Sequence, residues 1–203
     1  MRRLTALATL VLLFAAAACT GDGGTDDPTG QGDSSSEAPA PTAPLELALT
    51  PPNGFTADTT GADREIFFSE DHVTYTFFVA GAEGGLDRIM VTSYLLNPDA
   101  DTSKYESQAA LVTDYFKQLD QAISLDNFYP TLVHREDGIY RYGEKVINEV
   151  EVKWQDHFVF AGQYLINITC MWDSHYGQVN TACAELTSSF PFPEEWTAAS
   201  PAA

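Results

Sequence analysis

The chain has 203 residues, of which 10 are lysine or arginine and 29 are aspartate or glutamate, so its formal net charge is −19. A chain of this length suits one domain of ordinary size with a leader or tail, and it can bury a substantial hydrophobic core. Such an acidic protein repels phosphate backbones and anionic lipid surfaces, which argues against nucleic-acid binding and against membrane binding through a basic patch.

The N-terminal residues have the pattern of a secretory signal peptide. Arg2 and Arg3 precede an apolar run from Leu4 to Ala18 that only two threonines interrupt. A basic start, an apolar stretch of this length and small residues at its end are typical of a cleaved leader, and the run is too short for a spanning helix. We therefore predict a signal peptide over residues 1–18.

Cys19 directly follows three alanines, residues 16–18. This arrangement resembles the bacterial lipobox, in which the cysteine is acylated and becomes the mature N-terminus, although the lipobox usually has leucine where Ala16 stands. Cleavage by ordinary signal peptidase is the alternative, and it would release a soluble protein with an unmodified thiol. We expect lipidation of Cys19, by palmitate or a similar chain, and hence anchoring at the outer, extracytoplasmic face of the cytoplasmic membrane.

Residues 19–44 are predicted to form a disordered tether after the lipidated cysteine. From residue 20 onward the segment is rich in glycine, proline, serine, threonine and aspartate, and it has no aromatic, branched aliphatic or basic residue. Such a composition cannot bury enough apolar surface to offset the entropy of ordering. Loss of Arg2 and Arg3 with the leader would leave 8 of the 10 basic residues against 29 acidic ones, a net charge of −21.

A single folded domain is predicted over residues 45–196, with a frayed tail over 197–203. Its first half begins with a strand at Leu45–Leu49 and a turn at residues 50–54, followed by a short apolar stretch at residues 66–68. Residues 73–79 and 89–95 alternate with period two on either side of a glycine-rich turn, which predicts a hairpin with one buried face.

The apolar period then changes to that of a helix. The predicted stripe comprises Val112, Tyr115, Phe116, Leu119, Ala122 and Ile123. Thr102 or Ser103 is the expected N-cap, and Ser103 with Glu106 has the spacing of a capping box.

The second half is predicted to contain strands and a closing helix. Strands are expected at residues 128–135 and 139–142, and then a long hairpin whose two arms, residues 146–154 and 158–172, meet at Gln155-Asp156. In the first arm Val146, Val150, Val152 and Trp154 are expected to share one face. The closing helix has its stripe at Val179, Ala182, Cys183, Leu186 and Phe190, ends before Pro191, and is followed by the anchor Trp196. The predicted fold class is α+β, with an antiparallel sheet of six or seven strands and two amphipathic helices.

With Cys19 assigned to the lipid, Cys170 and Cys183 remain, both at predicted core positions. In an exported protein, two remaining cysteines at core positions favour a disulfide between them, and two buried free thiols are the alternative.

No established catalytic or phosphate-binding motif occurs in the sequence, so we expect no catalytic residue, no cofactor and no metal. His72 and His157 lie at predicted strand starts, beside acidic residues. Asp173 and His175, with His134, could form a metal site, but two spaced ligands are weak evidence and a polar turn between strand and helix explains them better.

Two further acidic groups have structural explanations. Residues 97–103 place oxygen ligands at alternate positions, as a calcium loop does, but Thr102 and Gln108 stand where that loop has glycine and an acidic residue, so helix capping is the favoured explanation. Glu149 and Glu151 are predicted to share a strand face where paired carboxylates could do acid–base chemistry, and the adjacent Lys153 indicates an ordinary solvated face instead.

Four tyrosines do not fit the apolar periodicity of the predicted core: Tyr129, Tyr140, Tyr142 and Tyr176. Exposed tyrosine is enriched at interfaces, so these residues are the candidates for a binding surface. A half-buried position at the rim of the core is the alternative for each of them.

The order of elements resembles the PsbP-like fold, and in particular the actinobacterial LpqN-type lipoproteins. The resemblance rests on Gly54 and Phe55 after a short first strand, the hairpins, the mid-chain helix, and a final helix that closes on Ser189 and Phe190. It implies an α-β-α sandwich without catalytic residues, and these four positions have structural roles.

The sequence therefore favours a lipid-anchored, non-catalytic binding or accessory protein of the bacterial cell envelope, with a protein or lipid partner. A small-ligand carrier is one alternative, which requires an apolar cavity between sheet and helix. The other is a hydrolase or metal-dependent enzyme whose site gathers distant residues such as His134, His157 and Asp173.

Overall fold

The computed structural model of the chain describes residues 40–58, 68–119 and 127–200. The predicted signal peptide, the lipidation site Cys19 and most of the predicted tether lie outside the described residues. So do residues 66–67 of the short apolar stretch, and Ala122 and Ile123 of the predicted helical stripe. No helix among the described residues has both the length and the apolar character needed to cross a membrane.

The described residues form a seven-stranded antiparallel sheet and three helices, which confirms the predicted α+β class. The strands are β1 (Phe55–Ala57), β2 (His72–Val79), β3 (Arg88–Leu95), β4 (Tyr129–Val133), β5 (Glu136–Ile147), β6 (Val150–Ala161) and β7 (Tyr164–Trp172). The helices are α1 (Tyr105–Gln118), α2 (Tyr176–Ser188) and α3 (Glu194–Ala199). The spatial order of the strands is β1-β2-β3-β7-β6-β5-β4, so β1 and β4 are the two edges.

Both faces of the sheet are covered. The front face packs against α2, α3 and the segment at residues 45–49, and its buried residues include Val91, Ile166, Ile168, Val179 and Trp196. The back face packs against α1 through a second cluster that includes Tyr94, Val112, Phe116, Phe158 and Leu165. Burial of both faces explains why β2 and β3 do not have the single buried face that their alternation predicts. At the end of β2, four consecutive residues are buried.

The predicted first strand at Leu45–Leu49 is wrong. Leu45 and Leu47 are each 5% exposed, so the alternation correctly marks the buried side of this segment. Their backbone N–H groups, however, donate to side chains, that of Leu45 to the Ser93 hydroxyl (3.0 Å) and that of Leu47 to the Tyr75 hydroxyl (2.8 Å). The segment is therefore extended on the front face without belonging to the sheet.

The predicted turn at Gln155-Asp156 is also wrong, because β6 runs through these residues. The chain turns at Asn148-Glu149, where both residues have positive φ (50° and 69°), and again after Ala161, where Gly162 has φ 55°. Asp156 is buried, and its carboxylate accepts a hydrogen bond from the Thr169 hydroxyl at 2.5 Å on the neighbouring strand.

This shift of the turn separates residues that were expected to share a face. Val146 lies opposite Glu151 on the front face, whereas Val150, Val152 and Trp154 lie on the back. Glu149 is a turn residue, so it does not pair with Glu151 on a strand.

The predicted caps of the first helix are not observed. The N-cap of α1 is Lys104, without a side-chain cap hydrogen bond. The Thr102 hydroxyl donates instead to the Gly162 carbonyl oxygen (2.6 Å), and the Ser103 hydroxyl donates to the Asp101 carboxylate (2.7 Å). Both hydroxyls are thus engaged before the helix begins.

Cys170 on β7 and Cys183 on α2 form a disulfide with a Cα–Cα distance of 6.1 Å, as the cysteine count predicts. The bond fixes α2 to the centre of the front face. After α2 the chain buries Phe190 and forms the short helix α3, which was not predicted and which carries the predicted anchor Trp196, 1% exposed.

Candidate functional site

The four tyrosines that stand off the core periods come together on the front face of the sheet. We call the group of Tyr129, Tyr140, Tyr142 and Tyr176 the tyrosine surface. Tyr129 contacts Tyr140 with ring centroids 6.4 Å apart, while Tyr142 (6.2 Å) and Tyr176 (5.2 Å) both contact the ring of Trp172. Tyr129 and Tyr176 are each 55% exposed and Tyr142 is 43% exposed.

Strand register assembles this surface. Tyr140 and Tyr142 are two residues apart on β5, so both point to the front face. Tyr129 is the direct partner of Tyr140 in the β4–β5 pair. Tyr176 begins α2 four residues after Trp172, the last residue of β7. Three elements thus bring their rings to one end of the sheet.

Helix α2 bounds the tyrosine surface on one side. The helix lies over β7, and near its C-terminal end the Thr187 carbonyl oxygen accepts a hydrogen bond from the His134 N–H at the β4–β5 turn (2.8 Å). Close to its start, the Asn180 side chain accepts a hydrogen bond from the Gln155 amide of β6 (2.8 Å). The surface therefore consists of strand residues and is bounded on one side by a helix.

The phenol groups of the surface lie close enough to affect one another. Burial raises the pKa of the Tyr140 phenol, and the neighbouring phenols of Tyr142, Tyr176 and Tyr129 raise it further. The Tyr140 phenol therefore stays neutral over the physiological range.

His157 lies directly across from Tyr140 in the β5–β6 pair, with its ring centroid 5.2 Å from that of the tyrosine. The residue is 8% exposed, and its Nδ1 atom is buried with no hydrogen-bond partner among the described residues. Burial lowers the pKa of His157 to about 4, so its imidazole is neutral at physiological pH.

Stability is expected to fall between pH 6.5 and pH 4 because of His157. In the unfolded chain this histidine binds a proton below its ordinary pKa of 6.5, whereas in the folded chain it does so only near 4. The unfolded state therefore gains protons first as the pH falls, and by pH 5 the loss is about 2 kcal/mol. Urea unfolding at pH 7 and pH 5 tests this. His157→Phe should remove this part of the pH dependence, and an unchanged pH dependence in that variant would contradict the assignment.

A second polar cluster lies where β7 meets α2. The Asp87 carboxylate, 3% exposed, accepts hydrogen bonds from the backbone N–H groups of Asp173, Ser174 and His175 (3.2, 3.2 and 2.8 Å). Its other oxygen accepts from the Ser174 hydroxyl and from His175 Nδ1, both at 2.7 Å. Burial alone would raise the pKa of Asp87, but these hydrogen bonds, led by that of His175, outweigh it and hold the pKa well below its ordinary value.

This serine, histidine and aspartate do not have the geometry of a nucleophilic triad. In a triad the carboxylate and the serine hydroxyl bond opposite ring nitrogens of the histidine. Here the Ser174 hydroxyl and the Asp87 carboxylate both lie against Nδ1 of His175, the hydroxyl at 3.1 Å. The arrangement instead ties the start of α2 to the loop before β3.

The other predicted candidates are dispersed. His134 occupies the β4–β5 turn, with Nδ1 bonded to the Ser188 carbonyl oxygen (3.0 Å), while Asp173 precedes α2 and His157 lies in the middle of β6. Asp101 of the predicted calcium loop accepts hydrogen bonds from Ser107 and Ser103, which lower its pKa to about 2. Within the described ranges, no three His, Cys, Asp or Glu side chains form a group that could hold a metal ion.

Two clefts lie away from the tyrosine surface. A wide, open one of about 970 Å³ lies among the starts of α1 and β5, the β6–β7 turn and the end of α3, and its lining includes Asp101, Arg135, Glu136 and Asp137. A smaller one of about 160 Å³ beside α1 is lined in part by Phe68, Leu111 and Tyr115.

Sequence reasoning missed Asp87 and Trp172 as members of these two sites. Asp87 is 86 to 88 residues from its backbone partners, and Trp172 was assigned to the core. The signal for Trp172 was its position at the end of the long strand, close to an off-period tyrosine.

Comparisons with known proteins give no family assignment. No family model matches the sequence, and no curated protein matches it. Among solved structures, the chain is similar to a Bacteroides thetaiotaomicron protein whose crystal structure was determined at 1.50 Å, with a TM-score of 0.38 and 8% sequence identity. The similarity covers 62% of this chain and 37% of that protein, so the chain spans little more than a third of its length. A similarity this weak carries no argument about function.

Proposed function

We propose that this protein is a lipid-anchored, extracytoplasmic binding or accessory protein of the bacterial cell envelope, and that it holds its partner on the tyrosine surface. The observation that carries the proposal is the convergence of four tyrosines from β4, β5 and α2 on one exposed surface. Its function in this proposal is binding without catalysis.

The composition of the surface supports binding. A tyrosine ring supplies a large apolar contact area and a hydroxyl that can donate and accept hydrogen bonds, with few rotatable bonds to immobilise. Several such rings around a central buried ring, here Trp172, have the character of an interface hot spot. Although each exposed ring packs against a neighbouring ring, about half of its surface remains open to a partner.

The location rests on the sequence. The basic and apolar leader, Cys19 after three alanines and the acidic spacer together favour a tethered domain outside the cytoplasmic membrane. The disulfide between Cys170 and Cys183 suits an oxidising compartment. The resemblance to LpqN-type lipoproteins of actinobacteria, with their PsbP-like fold, points to the same compartment.

Replacement of the lipid-bearing cysteine tests the anchor. With Cys19→Ala, we expect the exported protein to move from the membrane fraction to the soluble fraction when cells are fractionated without detergent. Cys170→Ala is the matched control, because it also replaces one cysteine by alanine but should leave the protein at the membrane. A soluble wild-type protein would contradict the anchoring.

Site-specific cross-linking in intact cells tests the surface. A photoreactive amino acid at position 142 should give a discrete cross-linked product. The same group at position 105, an exposed tyrosine on α1 that is 42% exposed, should give none. Equal products at the two positions would show that the tyrosine surface is not the binding site.

A further inference from the structure

We infer that the partner of the tyrosine surface is a neutral carbohydrate chain, whose sugar rings stack on the tyrosines. This inference rests on the proposed function, in which the surface binds a partner, and it names the chemical class of that partner. It departs from the protein or lipid partner that the sequence favours.

The rings form two neighbouring groups that together make a row across the sheet. Tyr129 contacts Tyr140, and Trp172 contacts both Tyr142 and Tyr176, with 5.2 to 6.4 Å between the centroids of the contacting rings. The two groups adjoin because Tyr140 and Tyr142 are two residues apart on the same face of β5. The face of an aromatic ring is negative, so it attracts the weakly positive C–H groups that cover one side of a sugar ring. A row of rings suits a chain of repeating sugar units better than a single compact ligand.

Uncharged polar groups lie between the rings. The Gln155 side-chain N–H donates a hydrogen bond to the Asn180 side-chain oxygen. This bond leaves the Gln155 side-chain oxygen and the Asn180 side-chain N–H groups for a ligand. Sugar hydroxyls both donate and accept, so they match this mixed set.

The charges beside the tyrosine surface favour a neutral ligand. The four tyrosines, Trp172 and the two amides carry no charge. The adjoining Lys153 lies directly opposite Trp172 on β7 and opposite Glu144 on β5, and it pairs with Glu151 (3.3 Å). An ionic ligand would have to compete with these paired charges, whereas a neutral chain would not.

Native-gel affinity electrophoresis of the mature, full-length protein tests the inference. The probes are soluble neutral polysaccharides cast in the gel: a glucan, a mannan, a galactan and an arabinan. At least one should slow the migration of the wild type. Tyr142→Ala with Tyr176→Ala should weaken this retardation about tenfold or more, since each ring contributes a stacking contact. Tyr142→Phe with Tyr176→Phe should retain most of it, and Tyr105→Ala, remote from the surface, should retain all of it.

Salt dependence provides an independent readout. Binding of a neutral chain should be unchanged when NaCl is raised to about 0.5 M, whereas an ionic contact would weaken because salt screens it. Retardation by none of the four polysaccharides, or equal retardation of the double alanine variant, would overturn the carbohydrate inference. If position 142 still cross-links to a protein in that case, the proposed binding function stands; if it cross-links to nothing, both are wrong.

Discussion

Replacing Cys170 and Cys183 by alanine is expected to lower the free energy of unfolding by about 3 kcal/mol. The bond closes a loop over a sequence separation of 13 residues, and the loss of chain entropy in the unfolded state accounts for about that amount. Both cysteines are buried, at 0% and 2% exposure, so lost packing adds to the effect.

Urea denaturation of the purified protein, with and without dithiothreitol, measures this effect. The wild type should lose stability in the reductant, whereas the double alanine variant should not respond to it. A wild type that is equally stable in both conditions, with reduction confirmed by thiol labelling, would show that the bond has little energetic role.

The same substitution should weaken binding at the tyrosine surface. The disulfide holds α2 against β7, and α2 carries Tyr176 and Asn180 while β7 ends at Trp172. A helix that shifts on the sheet would separate these groups without removing any of them. Retardation in the polysaccharide gel should therefore fall in the double alanine variant, at a temperature where circular dichroism shows it to be folded.

Local periodicity was sufficient to predict most of the sheet and two helices. Alternation located β2, β3 and β7, because their apolar side chains face a core on at least one side. The spacing of Val112, Tyr115 and Phe116 located α1 in the same way. The disulfide was predictable because Cys170 and Cys183 both fell on core positions.

Turns and caps were less predictable, because they depend on tertiary partners. Gln155-Asp156 has the composition of a turn, but both side chains find hydrogen-bond partners on other elements, Asn180 and Thr169, and so remain within a strand. Asn148 and Glu149 form the turn in a left-handed conformation that is unfavourable for most residues but tolerated by asparagine. Competition between a local turn preference and hydrogen bonds to distant elements is not visible in a local sequence pattern.

The residues of the candidate site could be identified from the sequence, but their proximity in the fold could not be predicted. The four tyrosines were identified because they did not fit the core periods. Their proximity depends on the pairing of Tyr129 with Tyr140 and on the contact of Tyr142 with Trp172, and neither follows from a local sequence pattern. The Asp87 cluster left no sequence signal, since one acidic residue after a glycine-rich turn resembles any solvated loop residue.

Asp87→Ala is expected to destabilise the protein by about 3 kcal/mol. The substitution leaves three backbone N–H groups, the Ser174 hydroxyl and the His175 ring without their common acceptor, where the surrounding loop is partly buried. Asp173→Ala is the matched control, because this neighbouring carboxylate is exposed and accepts only from the Ser174 hydroxyl (2.9 Å), so its removal should change stability by less than about 0.5 kcal/mol. Equal effects of the two substitutions would contradict the role assigned to Asp87.

The pH dependence separates Asp87 from His157. Because the folded pKa of Asp87 lies below its ordinary value of 3.8, its contribution to stability is complete above that value and is lost as the pH falls through the folded pKa. The loss due to His157 occurs at higher pH, between 6.5 and about 4. Stability measured from pH 7 to pH 2 should therefore fall in two separate stages. Asp87→Ala should reduce only the lower stage and His157→Phe only the upper one, and a single stage that both substitutions alter equally would contradict these assignments.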